Sequence, residues 1–502
     1  MGLRSKILMV YPNSGFADAL VVHAPWGLLY ASIDLAKNGY DIEIIDTRLE
    51  VNSWKKKIKE NIERNNIFAC GISVMSGFST KHAASIGRFI KSLDKEIKVV
   101  WGGSFASFFP QVILKNNWGC DYVVSGNGSK PFYRLLECIR SRNEPKGISG
   151  ISYCRDGRII QEKPEQKKLE FYNYREIPYH LIRDYSDYGQ LDQDKRIFSI
   201  YSSLGCPYQC SFCGTPAECA NIEGAKWLSL PAAEVVDHIE YLVKNYSANY
   251  IYFIDNDSFV DLSHVENILD EIRRRDISIG IGFRGARINE VKKMDAAYLK
   301  KLSDCNVDIL HIGIESGSNR ILKLMRKDCD TEDIINCNLK LSGYPRIMPA
   351  YNFLLLTPTE NIDDLRSTRD LMLRLVRDNP RCIIFAPNKY RPLPGTELYR
   401  RAQEEWKGID LESDFHSMVF PKKIIRYFNM LYLCSHFIDG KVRKTTCGGT
   451  LFYKVARIVC AMYKPIADLR IRHELNRLMI ELWLLNIFSK LFRNPLSKRT
   501  NS

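Results

Sequence analysis

Three cysteines stand close together in the run Gly205-Cys206-Pro207-Tyr208-Gln209-Cys210-Ser211-Phe212-Cys213-Gly214. Thiolates are the standard protein ligands of iron-sulfur clusters, and a cubane normally takes four of them. Three on one tight loop would leave one iron without a protein ligand and able to hold a small molecule. A structural zinc loop is the competing reading. Zinc wants a fourth ligand, usually from a second paired knuckle, and the nearby Cys219 has no such pair.

Other residues able to do chemistry follow at intervals. Ile254-Asp255-Asn256-Asp257 offers two carboxylates that can accept hydrogen bonds from an ammonium group. The bland reading is an Asx turn capping the next helix, an even choice for Asp257 and the weaker one for Asp255. Arg284 and Arg287 suit a carboxylate or a ribose, and one of the two is expected to serve in a structural ion pair. In Gly313-Ile314-Glu315-Ser316-Gly317-Ser318 the carboxylate of Glu315 can take hydroxyls or an ammonium. Gly317 and Ser318 can open the following helix with free backbone donors.

These residues need a frame. From Phe198 to about Trp406 the chain alternates apolar runs with amphipathic stretches, predicting strands at Phe198 to Tyr201, Tyr250 to Asp255, Ile279 to Arg284, Val307 to Ile314, Met348 to Leu356 and Cys382 to Pro387. Parallel barrels hold their chemistry at the carboxyl ends of the strands, where all the residues above fall. The first 140 residues show the same alternation, with strands expected at Ile7 to Tyr11, Asp41 to Ile45, Ile67 to Val74, Val99 to Trp101 and Tyr122 to Val124. Helices are expected at Gly27 to Asn38, Ser79 to Leu93 and Pro131 to Arg140. This is a flavodoxin/Rossmann-like α/β order, in which a ligand sits outside the strand ends. Those ends carry Ser73-Val74-Met75-Ser76-Gly77, Gly102-Gly103-Ser104 and Gly126-Asn127-Gly128, whose glycines let backbone approach a large flat ligand. Any one of them alone reads equally well as a turn glycine.

The Cys-x3-Cys-x2-Cys loop, with Phe212 before the third Cys and Gly214 after it, resembles the signature of the radical S-adenosylmethionine (SAM) enzymes. The resemblance implies a 4Fe-4S cluster held by Cys206, Cys210 and Cys213, whose open iron chelates SAM and cleaves it to a 5'-deoxyadenosyl radical. It places Phe212, Gly214, Asp255, Asp257, Arg287, Glu315 and Ser316 around SAM. The run through Glu315 resembles the Gly-x-Glu-Ser-Gly of one large subgroup, and Pro394-Gly395-Thr396 its barrel closure. Leu355-Leu356-Thr357-Pro358 departs from it, since the family usually has a glycine near Leu356 or Thr357. Pro25-Trp26-Gly27, Asn38-Gly39-Tyr40-Asp41 and Val100-Trp101-Gly102-Gly103 are similar to the cobalamin-binding domain of that subgroup. Cobalamin would lie against Ser73, Met75, Ser76, Gly102, Gly103, Gly126 and Gly128. No Asp-x-His-x-x-Gly motif is present, so no histidine from it is expected on cobalt. Gly126-Asn127-Gly128-Ser129 replaces the usual Gly-Glu-Gly-Glu.

The expected architecture is a cobalamin-binding-like domain over 1–145, a connector over 146–195, a partial (β/α)6 TIM-like radical SAM barrel over 196–406 and a basic helical C-terminal region over 407–502. Within the connector, Arg155-Asp156-Gly157-Arg158 reads as a hairpin turn. Activity is expected to be methylation of an unactivated carbon of a hydrophobic or natural-product substrate. A non-methylating oxidative cyclisation or ring rearrangement of a tetrapyrrole-like substrate and a non-catalytic cobalamin or SAM sensor are the alternatives. A methylthiotransferase of RNA would carry a second cysteine cluster, whereas Cys70, Cys120, Cys138 and Cys154 are scattered.

Composition bounds the setting. Fifteen cysteines spread singly over 502 residues do not make the framework of a small secreted domain, and no signal segment opens at Met1, so a reduced, cytoplasmic enzyme is expected. No apolar run approaches the ~20 residues that span a bilayer. The net charge of +14 is uneven: 16 Lys+Arg face 4 Asp+Glu from Phe420 to Ser502. Apolar Leu475, Leu478, Met479, Leu482, Leu485 and Phe488 accompany these cations. The tail reads as a helical subdomain roofing the active site or, less simply, as a peripheral contact with the inner face of an anionic membrane. Nucleic acid is the weakest option, since no base-stacking motif accompanies the charge. The remaining partners implied are a small-molecule or lipid substrate and an external electron donor such as a flavodoxin or ferredoxin.

Overall fold

The computed structural model describes residues 6–15, 22–164, 168–189, 195–412, 416–438 and 451–476. They form two compact units that divide between Tyr188 and Gly189.

The first unit is built on strands β1 (Lys6–Tyr11), β2 (Asp41–Asp46), β3 (Ile67–Ser73), β4 (Lys98–Gly102), β5 (Tyr122–Val124), β6 (Ile151–Arg155) and β7 (Arg158–Gln161). They lie in the order β2-β1-β3-β4-β5-β6-β7, the first five parallel. The 2-1-3-4-5 part is the flavodoxin-like winding expected, with its switch point between β1 and β3. The strands are apolar on both faces because helices cover both: Ile7, Leu8, Val10, Ala69, Cys70 and Trp101 are fully buried.

Two expectations change here. The hairpin assigned to the connector is part of this sheet: β6 pairs antiparallel with β5 and β7 with β6, around a turn with Asp156 at φ 49° and Gly157 at φ 74°. It covers the β5 edge that would otherwise be unpaired. The helix expected over Gly27 to Asn38 is two, Trp26–Ala31 and Ile33–Lys37, broken at Ser32. At the break the Asp34 amide donates to Ser129 Oγ at 3.0 Å, bracing the second piece on the helix Ser129–Arg140. A helix at Trp54–Arg64 escaped the sequence reading because Ile58 is its one fully buried side chain.

The second unit is a parallel sheet of β8 (Ile197–Ile200), β11 (Tyr250–Phe253), β12 (Gly280–Ala286), β13 (Val307–Glu315), β14 (Met348–Leu355) and β15 (Ile383–Ile384), with β16 (Asn388–Lys389) beside the end of β14. Neighbours in space are neighbours in sequence, and β8 and β15 do not pair, which is an open, six-unit barrel. The antiparallel pair β9 (Ser203–Gly205) and β10 (Trp227–Ser229) frames the cysteine loop. Side chains alternate across the sheet. Ile251, Phe253, Ile281, Phe283, Leu310 and Ile312 are fully buried on one face, where Tyr351 also donates to Asn338 of the outer helix Thr331–Ser342. The opposite face carries Tyr250, Tyr252 and Ile309: a Cβ on Gly282 would meet all three within 2.9 Å.

The tail begins as the helix Lys422–Ile438, which buries Tyr427, Phe428, Met430, Leu431, Leu433 and Cys434 and lies against the outer helix Ile362–Asp378. The helix Leu451–Arg472 packs on it in turn, and Glu474 accepts from Arg366 and Arg369. Leu478, Met479, Leu482, Leu485 and Phe488 lie outside the described residues. Among the described residues no helix is long and apolar enough to cross a membrane.

Candidate functional site

The cysteine loop runs from β9 to the short helix Gly214–Glu218 and is fastened by its backbone. Ser211 donates from its amide to Met325 O at 3.1 Å and from its hydroxyl to Leu324 O at 2.7 Å, and accepts from the Leu398 amide at 2.8 Å. The thiols of Cys206, Cys210 and Cys213 take no part in these bonds and stay half-buried. Burial pushes the Cys206 thiol up to about 12. Burial raises Cys210 too, with the charges of Lys327 and Arg287 acting in the opposite direction.

Asp255 is not placed to receive a ligand. It is 2% exposed, and its carboxylate accepts from Ser202 N (2.8 Å), Ser203 N (3.0 Å), Ser202 Oγ (2.6 Å) and Ser258 Oγ (2.9 Å). Its lone pairs are committed to the turn that launches the cysteine loop. His264 touches Ser202 Oγ at 3.1 Å, so the buried Asp, Ser and His form a brace with the serine in the middle rather than a nucleophile's relay. Asp255→Ala would orphan four buried donors, each worth about 1–3 kcal/mol when unsatisfied. The stability of the barrel unit, measured by urea unfolding, is expected to fall by at least ~3 kcal/mol for Asp255→Ala and by much less for Asp255→Asn, which keeps an acceptor for the two amides.

Asp257 does form the Asx turn, accepting from Phe259 N at 3.0 Å, while its Oδ2 is buried without a partner. Burial and the neighbouring Glu290 carboxylate push it up to about 7. Glu290 accepts from Tyr208 Oη at 2.5 Å and its Oε2 is likewise unpartnered. Arg284 is exposed, whereas Arg287 is 6% exposed. Arg287 donates from Nη1 to Cys210 Sγ at 3.3 Å and from Nη2 to Lys327 O at 3.0 Å, and lies 3.8 Å over the Tyr208 ring.

Glu315 ends β13 at φ 66°, a left-handed conformation that strains a non-glycine residue, and accepts from Lys327 Nζ at 3.2 Å. Burial lowers the Lys327 pKa, yet Glu315 and Cys210 hold it above its usual value. Its ammonium also lies 5.9 Å from the Phe212 ring. Lys327 was not singled out from the sequence. Ser316 is fully buried and faces Thr368, and the amides of Gly317 and Ser318 are taken by Thr368 Oγ1 and Ser316 Oγ. These amides are therefore not the free helix-opening donors expected. A Cβ on Gly317 would stand 2.5 Å from Ser367 O, so the glycine allows this strand end to dock on the helix Ile362–Asp378. Where a glycine is usual, Leu356 is fully buried at φ 65°, so a leucine takes the left-handed turn.

Three half-buried thiols on one loop, none of them used to fasten it, fit the donor set of a cubane that keeps one iron open. The unpartnered Asp257 Oδ2, Glu290 Oε2 and Arg287 Nε on neighbouring residues are donor and acceptor atoms that a bound group could satisfy.

In the first unit, the carboxyl ends of β3, β4 and β5 bring Ser73, Met75, Ser76, Gly102, Gly103, Gly126 and Gly128 to one sheet edge. Met75 and Phe78 are exposed there. Gly103 has φ 94°, and a Cβ on it would lie 2.8 Å from Val74 O. Gly103→Ala is therefore expected to cost about 1–3 kcal/mol in strain and to lower uptake of hydroxocobalamin, read from the visible spectrum of the full chain.

Residues 200–372 match the radical SAM superfamily, and residues 15–136 match the B12 binding domain. The chain is 26% identical over 411 residues to an uncharacterized methyltransferase of Pyrococcus horikoshii, covering 79% of this chain and 83% of that protein. It is 22% identical over 420 residues to the anaerobic magnesium-protoporphyrin IX monomethyl ester cyclase of Rubrivivax gelatinosus, covering 81% and 72%. Its fold is similar to that of the radical SAM methyltransferase TsrM of Kitasatospora setae, solved with cobalamin and a 4Fe-4S cluster bound. The TM-score is 0.62 and the identity 19%, over 81% of this chain and 76% of the other. The chain is thus a radical SAM enzyme with a B12-binding domain ahead of its barrel. The cofactors that go with these domains are a 4Fe-4S cluster, SAM and cobalamin.

Proposed function

We propose that the enzyme methylates an unactivated carbon of a small, largely hydrophobic substrate, with Cys206, Cys210 and Cys213 as the cluster ligands. When bound, the reduced cluster splits SAM to a carbon radical and cobalamin carries the methyl group. The observation that carries the reading is the fastened three-thiol loop, beside the Glu315–Lys327 pair, in a chain that also has a cobalamin-type sheet. Glu315 and the free oxygen of Asp257 are the carboxylates left to orient SAM, since Asp255 is fully engaged. Ser73, Met75, Ser76, Gly102, Gly103, Gly126 and Gly128 form the edge that would receive cobalamin.

The inner face of the barrel supports a flat substrate. His311 stacks on Phe385 at 5.0 Å and meets Tyr252 edge-on at 5.6 Å. Arg284 follows Gly282 on the same face and its charge acts on Tyr201 and Tyr252. Aromatic walls with one exposed guanidinium suit a planar group that bears an anion.

Ring closure without methylation is the second reading, favoured by the likeness to the cyclase of Rubrivivax gelatinosus. Anaerobic reconstitution of the full chain with iron, sulfide and hydroxocobalamin, then incubation with SAM and a reductant, separates the two. Methyl transfer predicts S-adenosylhomocysteine at least stoichiometric with bound cobalamin. Formation of 5'-deoxyadenosine without S-adenosylhomocysteine would overturn methylation.

A further inference from the structure

Cys210 is treated differently from the other two cysteines. Its sulfur receives the Arg287 Nη1 donor at 3.3 Å, and the side chains whose charges act on it most strongly are Lys327 and Arg287. Both cations are almost wholly buried, at 5% and 6% exposure. The two are tied together: Arg287 Nη2 holds the Lys327 carbonyl at 3.0 Å, so the guanidinium cannot swing away without releasing the chain that carries the lysine. Tyr208 stacks under the guanidinium and is held by Glu290. Lys327 has Glu315 as its counter-ion; Arg287 has the exposed Asp328 at 3.7 Å, and the carboxylates of Glu290 and Asp257 also act on it. At the Cys210 sulfur itself the cations outweigh the carboxylate: Arg287 touches it, and Lys327 and Arg287 act on it more strongly than Glu315 does.

From this geometry we infer that Arg287 and Lys327 are positioning residues that raise the reduction potential of the cluster through the Cys210 corner. The inference rests on the assignment of the three cysteines as cluster ligands. A thiolate-ligated cluster is already anionic, and its one-electron reduction, by an external low-potential donor, adds another negative charge. No bond is made or broken in that step. A nearby cation in a site shielded from water favours the more negative state, and hydrogen bonds to ligand sulfur shift cluster potentials in the same sense. Arginine serves this purpose at every working pH because its guanidinium does not deprotonate.

The test is an EPR-monitored redox titration of the full chain, reconstituted with iron and sulfide in the absence of SAM. The wild type is compared with Arg287→Gln, Arg287→Lys and Lys327→Gln. The expected result for Arg287→Gln is at least a tenfold less favourable reduction equilibrium, a midpoint lower by 59 mV for one electron. Arg287→Lys, which keeps charge but loses the fork, is expected to fall between it and the wild type. Lys327→Gln should shift in the same direction, and supplies the measurement should Arg287→Gln fail to hold its cluster. Wild-type potentials in cluster-bearing Arg287→Gln or Lys327→Gln would overturn the inference alone. A wild-type chain that takes up no cluster would overturn the cysteine assignment and the inference with it.

Discussion

Replacement of Cys206, Cys210 and Cys213 by Ala is expected to abolish iron-sulfur absorbance and all formation of 5'-deoxyadenosine while leaving the barrel folded. The two halves of that result have separate causes. Without thiolates there is no ligand for iron, and an aliphatic side chain offers no substitute. The loop itself is held by Ser211, whose amide, hydroxyl and carbonyl reach Met325, Leu324 and Leu398 without help from sulfur. Loss of three half-buried thiols should cost about 1 kcal/mol or less apiece. Circular dichroism of the triple variant should match the wild type. A normal cluster in that variant would remove the three cysteines from the site, and an unfolded chain would mean that the loop is held by the thiols after all.

The barrel was legible in the sequence because its strands are continuous apolar runs bounded by polar or glycine-rich ends. Five of the six expected strands coincide with β8, β11, β12, β13 and β14 to within about two residues, the scale on which element ends fray. The sixth, Cys382 to Pro387, shrinks to the two residues of β15, and the chain pairs with β14 again only at β16, past Pro387, which has no amide to donate to a ladder. The cysteine loop was equally clear, because thiol spacing is a local property.

Roles that depend on which side chains meet were not legible. Asp255 and Asp257 are two residues apart and look alike in sequence, but only the turn over Ser202 and Ser203 shows that the first is saturated and the second keeps a free oxygen. Arg284 and Arg287 are separated in the same way, one exposed and the other reaching Cys210. Lys327 follows Lys323 and Arg326, and nothing in that run of cations says which is buried. The close of the helix Asn319–Leu324 turns it inward, with Arg326 at φ 54° and the Lys327 amide bonded to Leu322 O at 3.1 Å. A lysine twelve residues beyond a strand-end glutamate would have been the only hint.

Glu315→Gln is expected to have two separable effects, because the carboxylate already has a partner inside the protein. Its Oε1 accepts from Lys327 Nζ at 3.2 Å, and the two lie over Gly313, where a Cβ would come within 2.5 Å of that oxygen. Removing one partner of a buried ion pair costs about 3–5 kcal/mol because the other charge is left uncompensated, and the 12% exposure of the Glu315 side chain argues for the lower end. The urea midpoint of the barrel unit, measured without cofactors, should therefore fall. The double variant Glu315→Gln/Lys327→Met should recover about 1–3 kcal/mol of that loss as coupling between the two sites. SAM binding to the reconstituted chain reports the second effect. If the same carboxylate also receives SAM, loss of a charge-assisted hydrogen bond worth about 1.5–3 kcal/mol weakens affinity roughly ten- to a hundredfold. That weakening should persist in the double variant, where stability has recovered and the acceptor is still missing. Full SAM affinity in the double variant would mean that Glu315 serves Lys327 alone, and SAM would then have to be oriented by Asp257 and other residues at the barrel mouth.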